Sequence, residues 1–220
     1  MRRKKKEPPQ IIPPQMLLEL YAAGYFPMGD DDSEEIRIYS ADPRAILPLS
    51  PFHVPRRLQR TLRQRNFLCT RDRDFSAVIR ACADRESTWI NRGIIASYEE
   101  LHRLGYAHSV EVWEGDALVG GLYGVHLNSI FFGESIFHRV PDAGKAALVH
   151  LAGHLENRGI EVLEIQMVTS LTQQFGATLV NAWQYRNFLD RALRRPVLWE
   201  DNHPLEPLNV QCRFGLLRLG

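Results

Sequence analysis

The stretch HSVEVWEGDALVGGLYGVHLNSIFFGESIF, residues 108–137, decides the fold. Apolar residues alternate with polar or small ones at a period of two through HSVEVWEG, DALVGGLYGVHL and SIFFGESIF, and the breaks fall at Glu114–Asp116 and at Asn128. That period marks strands with one buried face, and short Gly, Asp or Asn connections mark hairpins. The reading is an antiparallel three-stranded meander. One residue resists it: Glu134 sets a lone carboxylate just after Phe131 and Phe132, in a strand heading into a core. It is either a strand-end acid turned to solvent or a group with a task, because a buried charge is costly without a partner.

Working outward, DAGKAALVHLAGHLENRG (142–159) is a long amphipathic helix capped by Asp142 and stopped by Gly159. Strand IEVLEIQM, short helix TSLTQQFG, strand ATLV and helix WQYRNFLDRALRR follow. Upstream, DFSAVIRACADR has Asp74 as N-cap, and ASYEELHRLGY has Ser97 as N-cap and Gly105 as stop. A helix begins near Gln15, with Pro14 in its first turn and Gly24 at its C-cap, and IRIYSADPRAILPL gives two short extended pieces about an Asp-Pro turn. The class is α+β. Three regions are expected: a basic, disordered tail over 1–15, a small N-terminal lobe over 16–54, and the main domain over 55–220.

Composition narrows the functional classes. The 220 residues are 45% hydrophobic, enough for one sizeable core and a small accessory lobe. No apolar run is long enough to span a membrane, and MRRKKKEPPQIIPP lacks the apolar stretch of a signal peptide, so a cytoplasmic protein is expected. Cys69, Cys82 and Cys212 have no metal-ligand spacing, and His150 and His154, though at i and i+4, lack the glutamate and third ligand of a zinc motif. No metal is expected. Net charge is +1, yet Arg56, Arg57, Arg60, Arg63 and Arg65 stand together without an acid. On a helix Arg56, Arg60 and Arg63 share a face, which suits either a phosphate backbone or plain solvent.

Meander, long helix, parallel strand, helix, strand: this order resembles the GCN5-related acyltransferase (GNAT) fold, in which an acyl donor sits where two central strands splay apart. Members that bind acetyl-CoA carry a Gln/Arg-x-x-Gly-x-Gly/Ala loop at the start of the long helix, where backbone N–H groups hold the pyrophosphate. Here that place reads HRVPDAGKAAL (138–148), without the paired small residues. A donor other than CoA is expected.

The stretches LLELYAAGYFPM, ADPRAILPL, STWINRGIIASYEELHRLGYAHSVEVWEGDALVGGLYGV, FFGESIF and GKAALVHL closely resemble the leucyl/phenylalanyl-tRNA-protein transferase family over residues 16–195. The resemblance implies transfer of leucine, phenylalanine or methionine from aminoacyl-tRNA to proteins with an N-terminal Arg or Lys, creating a degradation signal, by a monomer with no cofactor. It also implies residue roles. Gln166 lies beside the reacting carbonyl, Glu134 receives the basic N-terminus, and Glu164 orients Gln166. Leu122, Phe131, Leu148, Leu151 and Leu163 form the pocket for the transferred side chain. Trp89 and Met28 hold the tRNA 3′ adenosine, and Arg56, Arg57, Arg60, Arg63 and Lys145 face tRNA phosphates. Read as a strand, LEIQM points Glu164 and Gln166 to one face and Leu163, Ile165 and Met167 to the other.

The chain departs from the family in places. It has Glu164-Ile165-Gln166 for Asp-x-Gln, Leu171 for a histidine, Gly144 for a serine, and Ile38-Tyr39 with Ala41 before the Asp-Pro-Arg segment. Two alternatives therefore stand beside the leading reading: an acyltransferase with another donor or acceptor, and a tRNA- or degron-binding module without catalysis. Tyr98, Glu99 and His102 are read as a solvated helix face.

Overall fold

The computed structural model describes residues 9–30, 33–50, 52–160 and 162–200. The N-terminal elements are α1 (Pro14–Ala22), β1 (Phe26–Gly29), β2 (Ile36–Tyr39), β3 (Arg44–Pro48), α2 (Arg56–Gln64), β4 (Leu68–Arg71), α3 (Phe75–Ala83) and α4 (Arg92–Arg103). The meander follows as β5 (Ala107–Glu114), β6 (Ala117–Leu127) and β7 (Ile130–His138). Then come α5 (Ala143–Asn157), β8 (Val162–Glu164), α6 (Ser170–Gln173), β9 (Thr178–Val180) and α7 (Ala182–Leu193). β1 and β2 pair with each other, and the remaining strands form one sheet in the order β4-β5-β6-β7-β8-β3-β9. Within it β7 and β8 are parallel and every other pair is antiparallel.

The predicted hairpins form. Glu114 pairs with Ala117 and Leu127 with Ile130, so each turn has two residues, and Gly115 (φ 58°) and Asn128 (φ 54°) take the left-handed backbone that these residue types tolerate. α3 is capped as expected, with Asp74 Oδ1 accepting from Ala77 N–H. α4 is not. It starts at Arg92 behind Asn91, whose Oδ1 accepts from Ile94 N–H, and Ser97 is buried in mid-helix. There the Ser97 hydroxyl donates to Gly93 C=O and accepts from Ile12 N–H at 2.9 Å. That contact also shortens the expected tail: Ile12 is buried, and Pro14 already belongs to α1.

Two apolar layers cover the sheet. On one face α1, α3, α4 and α7 bury Leu17, Ile79, Ile94 and Leu189 against Tyr123, Val125 and Phe132. On the other, α5 and α2 bury Leu151, Leu155 and Leu58 against Val110, Leu122, Phe131 and Leu163. The sheet has no break near residue 54, because β3 lies between β8 and β9 in the main sheet. Cys212 and residues 1–8 lie outside the described residues; Cys69 and Cys82 are free thiols.

Candidate active site

β8 is shorter than the sequence reading. It pairs with β7 only from Ile130↔Val162 to Phe132↔Glu164, after which β7 continues along β6 to His138. The two parallel strands therefore part, and a cleft of about 120 Å³ opens between them. Leu122, Leu148, Leu151 and Leu163 line its apolar part, while Glu134 and Gln166 line its polar part. Four of the five predicted pocket residues thus come together here. Phe131 is not among the lining residues; it is fully buried behind Leu122 and Leu163 in the same core.

A bulge explains the lone carboxylate. Tyr123 pairs with Ser135 and Gly124 with Gly133, which leaves Glu134 as the extra residue of β7. The insertion inverts the alternation, so Phe131 packs under α5 and Phe137 against the opposite layer although six positions separate them. It also turns Glu134 to a polar cluster. Tyr98 Oη donates to Glu134 Oε2 at 3.2 Å, Gln166 Nε2 donates to Oε1 at 3.1 Å, and the Tyr98 and Tyr21 hydroxyls bond each other. Burial pushes the Glu134 carboxyl up to about 8; hydrogen bonds from Tyr21 and Tyr98 offset part of this, and the Glu164 charge adds to it. Tyr98 is therefore no part of a solvated face: it is wholly buried. His102 stacks on Phe75 at 4.4 Å and Glu99 accepts from Ser76 Oγ at 2.6 Å, so both are structural.

Gln166 is not in a strand. Its φ is +53°, and it centres a three-residue turn closed by Met167 N–H to Ile165 C=O. Such a turn is strained for a residue with a side chain, and strain of this kind persists only where the surroundings enforce it. Here Glu164 Oε1 accepts from Gln166 N–H at 2.6 Å, and Ala45 N–H donates to Gln166 C=O at 3.0 Å. Glu164 thus holds Gln166 by its backbone and leaves the side-chain amide to Glu134. Glu164 in turn depends on Arg44, whose guanidinium lies 3.2 Å away; both are almost fully buried. Burial raises the Glu164 carboxyl, and Arg44 offsets that. Arg44 also donates to Gly24 C=O and sits over the Tyr185 and Phe26 rings at 4.5 and 5.2 Å.

The other predicted residues lie elsewhere. Met28 and Trp89 share a second cavity of about 320 Å³ with Arg37 and Tyr39, two residues the sequence reading missed. Arg56, Arg57, Arg60 and Arg63 are exposed on α2 with no ion pair among the described residues, whereas Arg65 pairs with Glu114 at 3.0 Å. Lys145 pairs with Asp142 at 3.1 Å at the start of α5, where Asp142 disfavours a pyrophosphate. Neither α2 nor Lys145 contributes to the cleft. Among the described residues there is no cluster of His, Cys, Asp and Glu that could hold a metal, and no helix long and apolar enough to cross a membrane.

A parallel strand pair that parts over an apolar cleft, within this element order, is the arrangement of the GCN5-related acyltransferase fold. Sequence comparison makes it specific: the sequence model of the leucyl/phenylalanyl-tRNA protein transferase family matches residues 46–190. Leucyl/phenylalanyl-tRNA–protein transferases from Salinibacter ruber and Phenylobacterium zucineum are each 50% identical, covering 84% and 82% of this chain and 82% and 84% of theirs. The chain belongs to this family. Among solved structures, L-PGS from Bacillus licheniformis overlays with a TM-score of 0.46 at 10% identity, over 80% of this chain and 69% of that one.

Proposed function

We propose that the protein transfers leucine or phenylalanine from aminoacyl-tRNA to the α-amine of proteins that begin with Arg or Lys, marking them for proteolysis. The observation that carries this reading is the 3.1 Å contact between Gln166 and Glu134 at the polar edge of a leucine-lined cleft. The apolar part suits the donor side chain, and the carboxylate suits a cationic N-terminus. In the reaction the amine nitrogen attacks the ester carbon; the amide bond forms, the ester C–O bond breaks, and the ribose oxygen leaves with a proton. The amine must first be neutral. An α-ammonium titrates near 7.7–8.0, so it and an acid raised to about 8 hold a proton about equally, and Glu134 takes it once the incoming cation has favoured its ionised form. Holding ester and amine in line contributes up to roughly 7–11 kcal/mol of barrier reduction.

The Met28–Trp89 cavity suits the 3′ adenosine, since base stacking on an aromatic contributes about 1–3 kcal/mol. The exposed arginines of α2, without an ion pair among the described residues, suit acceptor-stem phosphates. We place the activity in the cytoplasm, where charged tRNA is made and used. The test is incubation of the purified protein with labelled Leu-, Phe- or Met-tRNA and peptides beginning with Arg, Lys or Ala. Label is expected on the Arg and Lys peptides from Leu- and Phe-tRNA; no transfer from any donor to any N-terminus would overturn the proposal.

A further inference from the structure

We infer that Trp199, outside the cleft, sets the depth of the side-chain pocket by propping Phe131 from behind. The claim rests on the reading of the leucine-lined cleft as the donor side-chain pocket. Trp199 lies beyond the residues that the family model matches, yet it is 1% exposed. It is pinned on several sides. Its indole N–H donates to Asp72 Oδ2 at 2.8 Å, Arg158 Nε donates to the preceding carbonyl of Leu198 at 2.9 Å, and the following Glu200 pairs with Arg71 at 2.9 Å. The ring is sandwiched as well, stacked on His108 at 4.2 Å and edge-on to His154 at 4.3 Å.

The next ring in line is Phe131, stacked on Trp199 at 5.5 Å with 28° between planes. Phe131 lies directly over Gly124: a Cβ added there would fall 2.3 Å from Phe131 Cε1, so the ring is in contact with the β6 backbone. It cannot move that way. On the cleft side stand Leu163, its register partner on β8, and Leu122, two residues from Gly124 on β6; both line the cleft. Phe131 is thus a single aromatic layer between Trp199 and the pocket wall, and Trp199 fills the space into which that layer would retreat. Interiors are close-packed, so a ring lost at 199 is felt at the neighbouring ring. Trp199 touches no substrate; it is a positioning residue that sets how large a donor side chain fits.

The test is donor choice. The ratio of kcat/KM for Phe-tRNA over Leu-tRNA is measured for the wild type, Trp199→Leu, Trp199→Phe and Leu148→Ala, with near-UV circular dichroism to confirm folding. Trp199→Leu is expected to raise the ratio about tenfold, the scale on which pocket size discriminates side chains. Trp199→Phe should raise it less, and Phe131→Leu should abolish the effect of Trp199→Leu. General destabilisation lowers both donors together and leaves the ratio unmoved. If Leu148→Ala shifts the ratio and neither Trp199 variant does, the inference is overturned while the pocket stands; if Leu148→Ala also leaves it unchanged, the pocket itself is misassigned. Should Trp199→Leu fail to fold, Trp199→Phe decides alone: a raised ratio supports the prop and an unchanged one overturns it.

Discussion

Glu134→Gln is expected to stabilise the protein while impairing its use of acceptors. The fold raises this carboxyl from its ordinary 4.5 to about 8, chiefly by burial. The folded state therefore holds the proton more tightly than the unfolded chain does, and the group's contribution to stability is fully present below 4.5 and lost as pH rises to about 8. At pH 7 the unfolded chain gains about 2.5 pH units of ionisation that the folded state forgoes, and at about 1.36 kcal/mol per unit this is a penalty of about 3 kcal/mol. Glu134 is half-buried and open to the cleft, so about 1–3 kcal/mol is the reasonable range after solvent screening. Glutamine has no such titration and can still accept from Tyr98. Urea unfolding at pH 5, 6, 7 and 8 should give curves for wild type and Glu134→Gln that nearly meet at the acid end and diverge as pH rises, with the variant more stable. Parallel curves, or a variant less stable throughout, would refute the view that the site holds this acid against its own preference.

Further outcomes follow from other parts of the structure. Arg44→Met leaves Glu164 buried without its counter-ion and should cost about 3–5 kcal/mol of stability in urea unfolding; a loss under about 1 kcal/mol would mean that Glu164 has no need of Arg44. Burial depresses His126 to about 3 and His154 to about 4, so the stability they contribute is present above about 6.5 and lost as pH falls, at about 1.4 kcal/mol per unit and residue. Replacing both with asparagine should flatten the acid side of the stability curve between pH 6.5 and 4, and an unchanged slope there would count against that role. Changing Arg56, Arg60 and Arg63 together to glutamine should weaken Leu-tRNA binding and lower the salt slope of log Kd by about 2–3. An unchanged slope would assign that helix face to solvent.

The meander was legible because its causes are local: a period of two and turns that need Gly115 or Asn128. The leucines of the cleft were legible through the family resemblance alone, since by their period they read as ordinary core residues. The shape of the cleft was not legible. LEIQM reads as a continuous strand, and it is bonds to Glu164 and Ala45, distant or side-chain partners that a period does not show, that hold Gln166 in its turn. The bulge at Glu134 had one signal, Gly133, since a lone glycine inside a strand marks a bulge or a close backbone approach, but it does not say which residue is extra or that the alternation inverts. Ser97 looked like a cap because serine is one at helix starts, yet Asn91 serves that purpose and Ser97 ties Ile12 instead. One signal could have been followed further. Arg44 is a lone charge in an apolar strand and Glu164 lies between Leu163 and Ile165, and a buried charge implies a counter-ion; the two pair across β3 and β8.

The central claim is that the Glu134–Gln166 edge of the cleft carries out the transfer. Its most direct test is single-turnover transfer from labelled Leu-tRNA to an Arg peptide by Gln166→Ala, with Leu-tRNA affinity measured on the same preparation. The rate is expected to fall by about 10²–10³, the effect of removing one oriented donor at a reacting carbonyl, with affinity nearly unchanged. A variant that transfers leucine at close to the wild-type rate would contradict the account.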